Sequence, residues 1–237
     1  MESIPDTAIW AGAAVIGYLL GSIPFGLVIT QMAGLGDIRA IGSGNIGATN
    51  VLRTGRKDLA AATFLLDSGK AGLAALLFGF LFADRIPAIG LFAGAMAFIG
   101  HCFPVWLQFK GGKGVATYAG LLFAAVWQIG LFAAVCWLTV AFLARRSSVA
   151  ALTTALFVPI VAWGLNLSLI HVLILVVLTA LVFWRHATNI KRILDGTEPK
   201  FGQGKSKTAD AEAPAPCRQG GALRLRSRAP PAGEVPA

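Results

Sequence analysis

Apolar runs too long for the core of a small soluble domain alternate with short polar, glycine-rich connectors over most of this chain. The apolar segments cover 8–31, 59–83, 87–107, 114–144, 148–166 and 168–185. A hydrocarbon core about 30 Å thick is crossed by roughly 20 helical residues, so these segments read as transmembrane helices. The segment over 114–144 is the difficult one. At about 1.5 Å per residue a single helix there would be some 45 Å long, too long for one comfortable span and short for two.

Charge decides between the two arrangements. If 114–144 crosses once, Arg145–Arg146 and the basic segment after Arg185 fall opposite the Arg39 to Lys57 and Lys110 to Lys113 connectors. If it crosses twice, with a break near Gln128–Gly130, every basic connector lies on one face and the other keeps only Arg85. The positive-inside rule selects the second. The expectation is an all-α, polytopic integral membrane bundle of about seven transmembrane helices over 1–202, N-terminus outside and C-terminus in the cytoplasm. Residues 1–6 carry no Lys or Arg and no small-residue cleavage pattern follows, so the first run is expected as a retained span and not a signal peptide.

Composition agrees and narrows the classes. Only 13% of residues are charged and 56% are hydrophobic, against about 25% charged in an ordinary soluble domain. The net charge of +9 sits in connectors and in the Lys, Arg, Pro, Ala and Gly of 203–237, not on a basic face, so nucleic acid is not the expected partner. That tail is expected to be a disordered cytoplasmic extension. Cys102, Cys136 and Cys217 are odd in number and scattered, which gives neither a disulfide framework nor metal-ligand spacing.

Three connectors share the basic face and carry the candidate chemistry. In the first, Gly42, Gly44 and Gly47 permit close backbone approach and positive φ, so successive N–H groups can make an anion-binding concavity. Ser43, Asn45, Thr49 and Asn50 add neutral hydrogen-bonding groups, and Arg53 adds a planar fork suited to phosphate. The same spacing also suits a flexible loop whose arginine only sets topology. In the second, Lys110-Gly111-Gly112-Lys113-Gly114 directly precedes a helix, offering N–H groups, the positive helix end and two ammonium groups. It is not a Walker loop, since Leu107 stands where the first glycine would be and no Ser or Thr follows Lys113. A basic interfacial turn is the alternative. In the third, His186, Asn189 and Ile193 share one face of a helix leaving the membrane, while Lys191 and Arg192 can snorkel to headgroups.

Taken together, the run Gly-Ser-Gly-Asn-x-Gly-x-Thr-Asn-Val-Leu-Arg at 42–53, the run Gly-His-x-Phe-Pro-Val…Phe-Lys-Gly-Gly-Lys-Gly-Val-Ala-Thr at 100–117, and Arg-His-x-x-Asn-Ile-x-Arg…Gly-Thr-Glu at 185–198 resemble the three motifs of the bacterial acyl-phosphate:glycerol-3-phosphate acyltransferases. The resemblance covers about residues 8–202, and the stretch Gly21-Ser22-Ile23-Pro24-Phe25-Gly26 is also similar. Ile46 departs from it, standing where the family often has proline, which is expected to loosen that loop slightly.

The resemblance implies attack of the 1-hydroxyl of sn-glycerol 3-phosphate on the carbonyl of a fatty acyl phosphate, giving 1-acylglycerol 3-phosphate and phosphate. The partners are then those two substrates and membrane lipids, with no cofactor and no metal, in a monomer of the bacterial inner membrane whose site faces the cytoplasm. Ser43, Arg53, Lys113, His186, Asn189 and Glu198 carry over as catalytic residues. Gly42, Gly44, Asn45, Gly47, Thr49, Asn50, Gly111, Gly112, Gly114 and Thr117 carry over as phosphate-binding ones. Arg145 and Ser148, on one predicted helix face, are further candidates for a phosphate contact. An acyl phosphate is a mixed anhydride with a good leaving group, so positioning and charge stabilisation are the main needs. His101, His186 and Glu198 are conceivable bases, but an oxygen of the substrate's own phosphate can take the hydroxyl proton, with His186 and Asn189 positioning.

Asp67 and Lys70 lie within the second span, three residues apart, as an ion pair or as part of the site's lining. An anion transporter is the rival from another class, but it needs charges near the bilayer midplane, and here they gather at one interface. A coenzyme-A-dependent acyltransferase would need His-x4-Asp, which is absent after His101, His171 and His186. A CDP-alcohol phosphotransferase would need clustered aspartates.

Overall fold

The computed structural model describes residues 4–201, and the expected disordered tail over 203–237 lies outside the described residues. Those residues are all-helical. The first span divides into α1 (Asp6–Gly21) and α2 (Phe25–Met32), separated at Pro24, which has no N–H to continue the ladder. A loop with one helical turn, α3 (Ala48–Val51), leads to α4 (Lys57–Phe82), and then α5 (Ile89–Cys102) runs into a second loop. There follow α6 (Val115–Ala125), α7 (Trp127–Ala144), α8 (Ser147–Gly164) and α9 (Leu169–Arg185). The chain then turns by 61° into α10 (Ala187–Leu194).

The surface is inside out relative to a soluble bundle. Phe80 is 92% exposed and Phe142 84%, whereas the buried faces of the same helices are mostly Ala, Gly and Thr. Large apolar groups facing outward belong in lipid, and small residues facing inward let backbones approach. The α1–α5 contact shows it. A Cβ on Gly21 would run into the Ala97 carbonyl, and one on Gly100 into the Tyr18 carbonyl.

The long segment over 114–144 is a hairpin. Lys113, just before α6, hydrogen-bonds to Asn189, Asn189 to Glu198, and Glu198 to Ser148 in the first turn of α8. The start of α6 and the start of α8 are therefore on one side, and the chain between them goes in and comes back. The break falls at Val126 (φ −149°, ψ 86°), slightly before the expected Gln128–Gly130, and Gly130 instead lies inside α7, seated on the backbone of Phe123. The count of seven is correspondingly approximate. Five stretches are long and apolar enough to cross by themselves: Asp6–Met32, Lys57–Phe82, Ile89–Leu107, Trp127–Ala144 and Ser147–Gly164. The bent pair α9 and α10 makes a sixth. With 11 residues, α6 reaches only about 16 Å, roughly half of a bilayer core.

Candidate active site

The first loop is held by Asn50, 1% exposed. Its Nδ2 donates to the carbonyls of Ile38 at 2.7 Å and Ile41 at 3.2 Å, and its Oδ1 accepts from the Ser43 N–H at 3.1 Å. Both amide hydrogens are thus engaged within the loop, so Asn50 holds the loop's shape and has none left to offer an anion. Gly42, at φ +58°, lets the chain pass so close that a Cβ would strike Asn50 Oδ1 and the Arg53 side chain. Ile46 turns its side chain inward. It is buried with Leu27, Ile38, Val51 and Ala60 in a small apolar cluster of its own.

The glycines of the second loop are held differently from the sequence expectation. The N–H of Gly111 donates to the Cys102 carbonyl at 3.2 Å and that of Gly112 to the His101 carbonyl at 3.0 Å, so neither is free to cradle an anion. Arg185 grips the other side of the turn, donating to Gly111 O at 2.7 Å and Gly112 O at 3.0 Å, with its guanidinium over the Phe103 ring. This clamp presents Lys113 to the cavity. Burial, reinforced by the nearby Arg192, lowers the Lys113 ammonium to about 8, although Glu198 opposes the shift.

The third loop is organised around Glu198, which is buried. Its Oε1 accepts from Ser148 Oγ and Asn189 Nδ2, each at 2.6 Å, and its Oε2 accepts from Arg192 Nε at 2.7 Å. Arg146 Nε donates to its main-chain carbonyl at 3.1 Å. Burial alone would raise this carboxyl, but the Ser148, Arg192 and Asn189 hydrogen bonds outweigh it and hold Glu198 below the usual carboxylate range. A carboxylate with both oxygens occupied is a poor proton acceptor, and these bonds gather α8, α10 and the third loop around Glu198. His186, at the bend between α9 and α10, donates from Nδ1 to the Val182 carbonyl at 2.8 Å when it is neutral.

The three loops close on one cavity of about 370 Å³, within the usual range for a small-molecule site. Its polar end takes Ser43, Asn45, Gly47, Thr49, Asn50 and Arg53 from the first loop and Lys113 and Gly114 from the second. From beyond α7 come Ser148, His186, Asn189 and Glu198. Its other walls are mostly apolar, from Phe64 of α4, Leu122 and Phe123 of α6, Ala133, Ala134, Trp137 and Leu138 of α7, and Ala151 of α8, with Asp67 of α4 and His101 of α5 also on the lining.

Six expected residues are not part of that lining: Gly42, Gly44, Gly111, Gly112, Thr117 and Arg145. The glycines act one layer back, in the loops' own bonding. Thr117 is buried in α6, and Arg145 caps α7 in a left-handed conformation with its carbonyl accepting from Phe201. Sequence reasoning missed Arg192, which lines the cavity, and the supporting Arg185 and Arg146. The signal for Arg192 was its spacing of three from Asn189, which puts both on one helix face. Asp67 both pairs with Lys70 and lines the cavity, so the two readings of that residue were not exclusive. Among the described residues no three His, Cys, Asp or Glu side chains gather as a metal site would need.

A family profile described as glycerol-3-phosphate acyltransferase matches residues 11–196. A glycerol-3-phosphate acyltransferase from Hyphomonas neptunium is 60% identical over 211 residues, covering 88% of this chain and all of the relative. One from Maricaulis maris is 58% identical over 200 residues, 83% of this chain and 89% of its own. The fold also matches the crystal structure of PlsY (YgiH), an integral membrane glycerol 3-phosphate acyltransferase, in its glycerol 3-phosphate form. The TM-score is 0.77 at 36% identity, covering 81% of this chain and 96% of that one. The lysophosphatidic acid form of the same protein matches with a TM-score of 0.75.

Proposed function

The chain belongs to the glycerol-3-phosphate acyltransferase family, and from that premise we propose that its acyl donor is a fatty acyl phosphate. We also propose that the polar end of the cavity is where its phosphate and that of glycerol 3-phosphate are held. One observation carries the reading. A single cavity joins a cationic polar end, with Arg53, Lys113 and Arg192, to apolar walls supplied by α4, α6, α7 and α8. An acyl phosphate has that same division between anionic head and apolar tail.

The step needs no covalent enzyme intermediate. The 1-hydroxyl oxygen of glycerol 3-phosphate bonds to the acyl carbonyl carbon, the bond from that carbon to the phosphate oxygen breaks, and inorganic phosphate leaves. The hydroxyl proton passes to a phosphate oxygen of the substrate. Support for this substrate-assisted route is that Glu198 already accepts three hydrogen bonds and that His101, although it borders the cavity, has Nδ1 against Lys70 and Nε2 packed under Gly112. Lys113 and Arg53 stabilise charge that grows on the departing phosphate, while His186 and Asn189 position the reactants.

We infer that the site faces the cytoplasm from the bacterial inner membrane with the N-terminus outside, a reading supported by the positive-inside rule applied to the basic loops, and we propose that the protein acts as a monomer. The deciding assay supplies purified protein and glycerol 3-phosphate with either palmitoyl phosphate or palmitoyl-CoA. Turnover with palmitoyl phosphate and none with palmitoyl-CoA is expected. Equal turnover of both would overturn the donor assignment.

A further inference from the structure

Beneath the glycine turn lies a cluster of three buried ionisable side chains contributed by two spans. Asp67 and Lys70 of α4 pair at 3.0 Å, and Lys70 Nζ is also 2.8 Å from His101 Nδ1 on α5. A further bond of 2.9 Å runs from Lys70 to the carbonyl of Ile23, in the break between α1 and α2. Asp67 is 1% exposed, His101 4% and Lys70 5%. Ionisable groups inside spans are expensive, and holding two helices together does not require them.

The imidazole shows what they do. When Lys70 is charged, as its pairing with Asp67 favours, it donates to Nδ1 and the ring hydrogen of a neutral imidazole resides on Nε2. Nε2 faces the second loop so closely that a Cβ on Gly112 would run into it. Gly112 in turn donates its N–H to the His101 carbonyl and is gripped from the far side by Arg185. Lys113 is the next residue.

Resting on the phosphate-binding role proposed for Lys113, we propose that Asp67, Lys70 and His101 are a positioning set. They hold the imidazole against Gly112 and, through the turn, determine where the Lys113 ammonium stands. Asp67 and His101 also border the cavity, but the role assigned to them here is exerted through Gly112 on Lys113. A merely structural cluster would support the bundle without regard to what stands at 113.

A double-mutant cycle separates the two, reading glycerol 3-phosphate binding by calorimetry on the full-length protein in detergent. His101→Asn keeps an acceptor for Lys70 and removes the ring from Gly112. It is expected to weaken binding about tenfold in the wild-type background and by less than about threefold further once Lys113→Ala is present. Equal losses in both backgrounds, or no loss from His101→Asn, would overturn the proposal. Lys113→Ala alone reports on the underlying reading, since unchanged binding there rejects the phosphate role itself. If His101→Asn does not fold, Gly112→Ala replaces it, pressing on the imidazole from the loop side and removing no charge from the bundle. The same non-additivity with Lys113→Ala is expected, and additive losses would again overturn the inference.

Discussion

Asn189 donates its amide nitrogen to the Glu198 carboxylate at 2.6 Å, and this fixes which way the amide faces. A carboxylate only accepts, so the nitrogen must point to Glu198, which leaves the Asn189 carbonyl toward the Lys113 ammonium. One neutral side chain thus links the second loop to the third with both ends correctly matched.

Asn189→Asp should therefore be more damaging than its size suggests. It sets a second carboxylate against Glu198 where a donor stood, and a lost charge-assisted hydrogen bond is worth roughly 1.5–3 kcal/mol. The expected result is a fall in kcat/KM of at least about tenfold at neutral pH. Activity within about threefold of wild type would show that the amide's orientation is unimportant.

Lys113 and Lys110 should part company. Lys113 is half-buried, bonded to Asn189 and lines the cavity, whereas Lys110 is exposed and does not. Lys113→Ala is expected to lower kcat/KM by about tenfold to a hundredfold, and Lys110→Ala by less than about threefold, at matched expression. Equal losses would return the loop to a purely topological role.

The depressed ammonium of Lys113 gives activity and stability opposite pH dependences. Activity that requires the charged form should fall as pH rises through about 8. Stability runs the other way between about 8 and the ordinary value of 10.5, because there the unfolded chain still holds the proton and the folded one has released it. Comparing thermal unfolding of the wild type and Lys113→Met across that window isolates this contribution. A wild type that loses stability relative to Lys113→Met as pH rises would contradict the sign.

Much of this architecture is legible in the sequence, and the parts that are not have physical reasons. The hairpin over 114–144 follows from charge alone, since Lys113 and Arg145 must share a side. Its break is not marked by Gly or Pro at Val126, and Gly130, which the sequence suggests as the break, instead lets α7 pack against Phe123. The sequence shows the three loops that line the cavity, but not that Gly111 bonds to the Cys102 carbonyl and Gly112 to that of His101, because those partners belong to the preceding helix end. Nor does spacing reveal Glu198 as an organiser. Its partner Ser148 is 50 residues away, and Arg192 looked like a group reaching for headgroups.

The α1–α5 contact predicts a cost for bulk. Gly21→Leu places a side chain where the Ala97 carbonyl lies, so the helices must separate or rotate. Overpacking of this kind costs about 1–3 kcal/mol, and a lower unfolding temperature in detergent is expected. An unchanged temperature would mean that the helices can move apart freely.

Topology can be read by labelling from outside sealed cells. After replacement of the native cysteines, single cysteines at Arg56, Gln108, Ser147 and Thr197 should all resist a membrane-impermeant reagent. Labelling at Ser147 alone would place the end of α7 on the wrong side and reject the hairpin's proposed orientation.

The brevity of α6 has a mechanical consequence. Its 11 residues reach about half the depth of a bilayer core, and mismatch of this sort is met by local thinning at fractions of a kcal/mol per Å. Lys113 stands two residues before the helix that bears this load. Strain that mismatch places on α6 would fall next to Lys113, the cation proposed to hold phosphate. Activity is then expected to depend on the length of the lipid chains around the protein, read by assaying it in bilayers of different thickness.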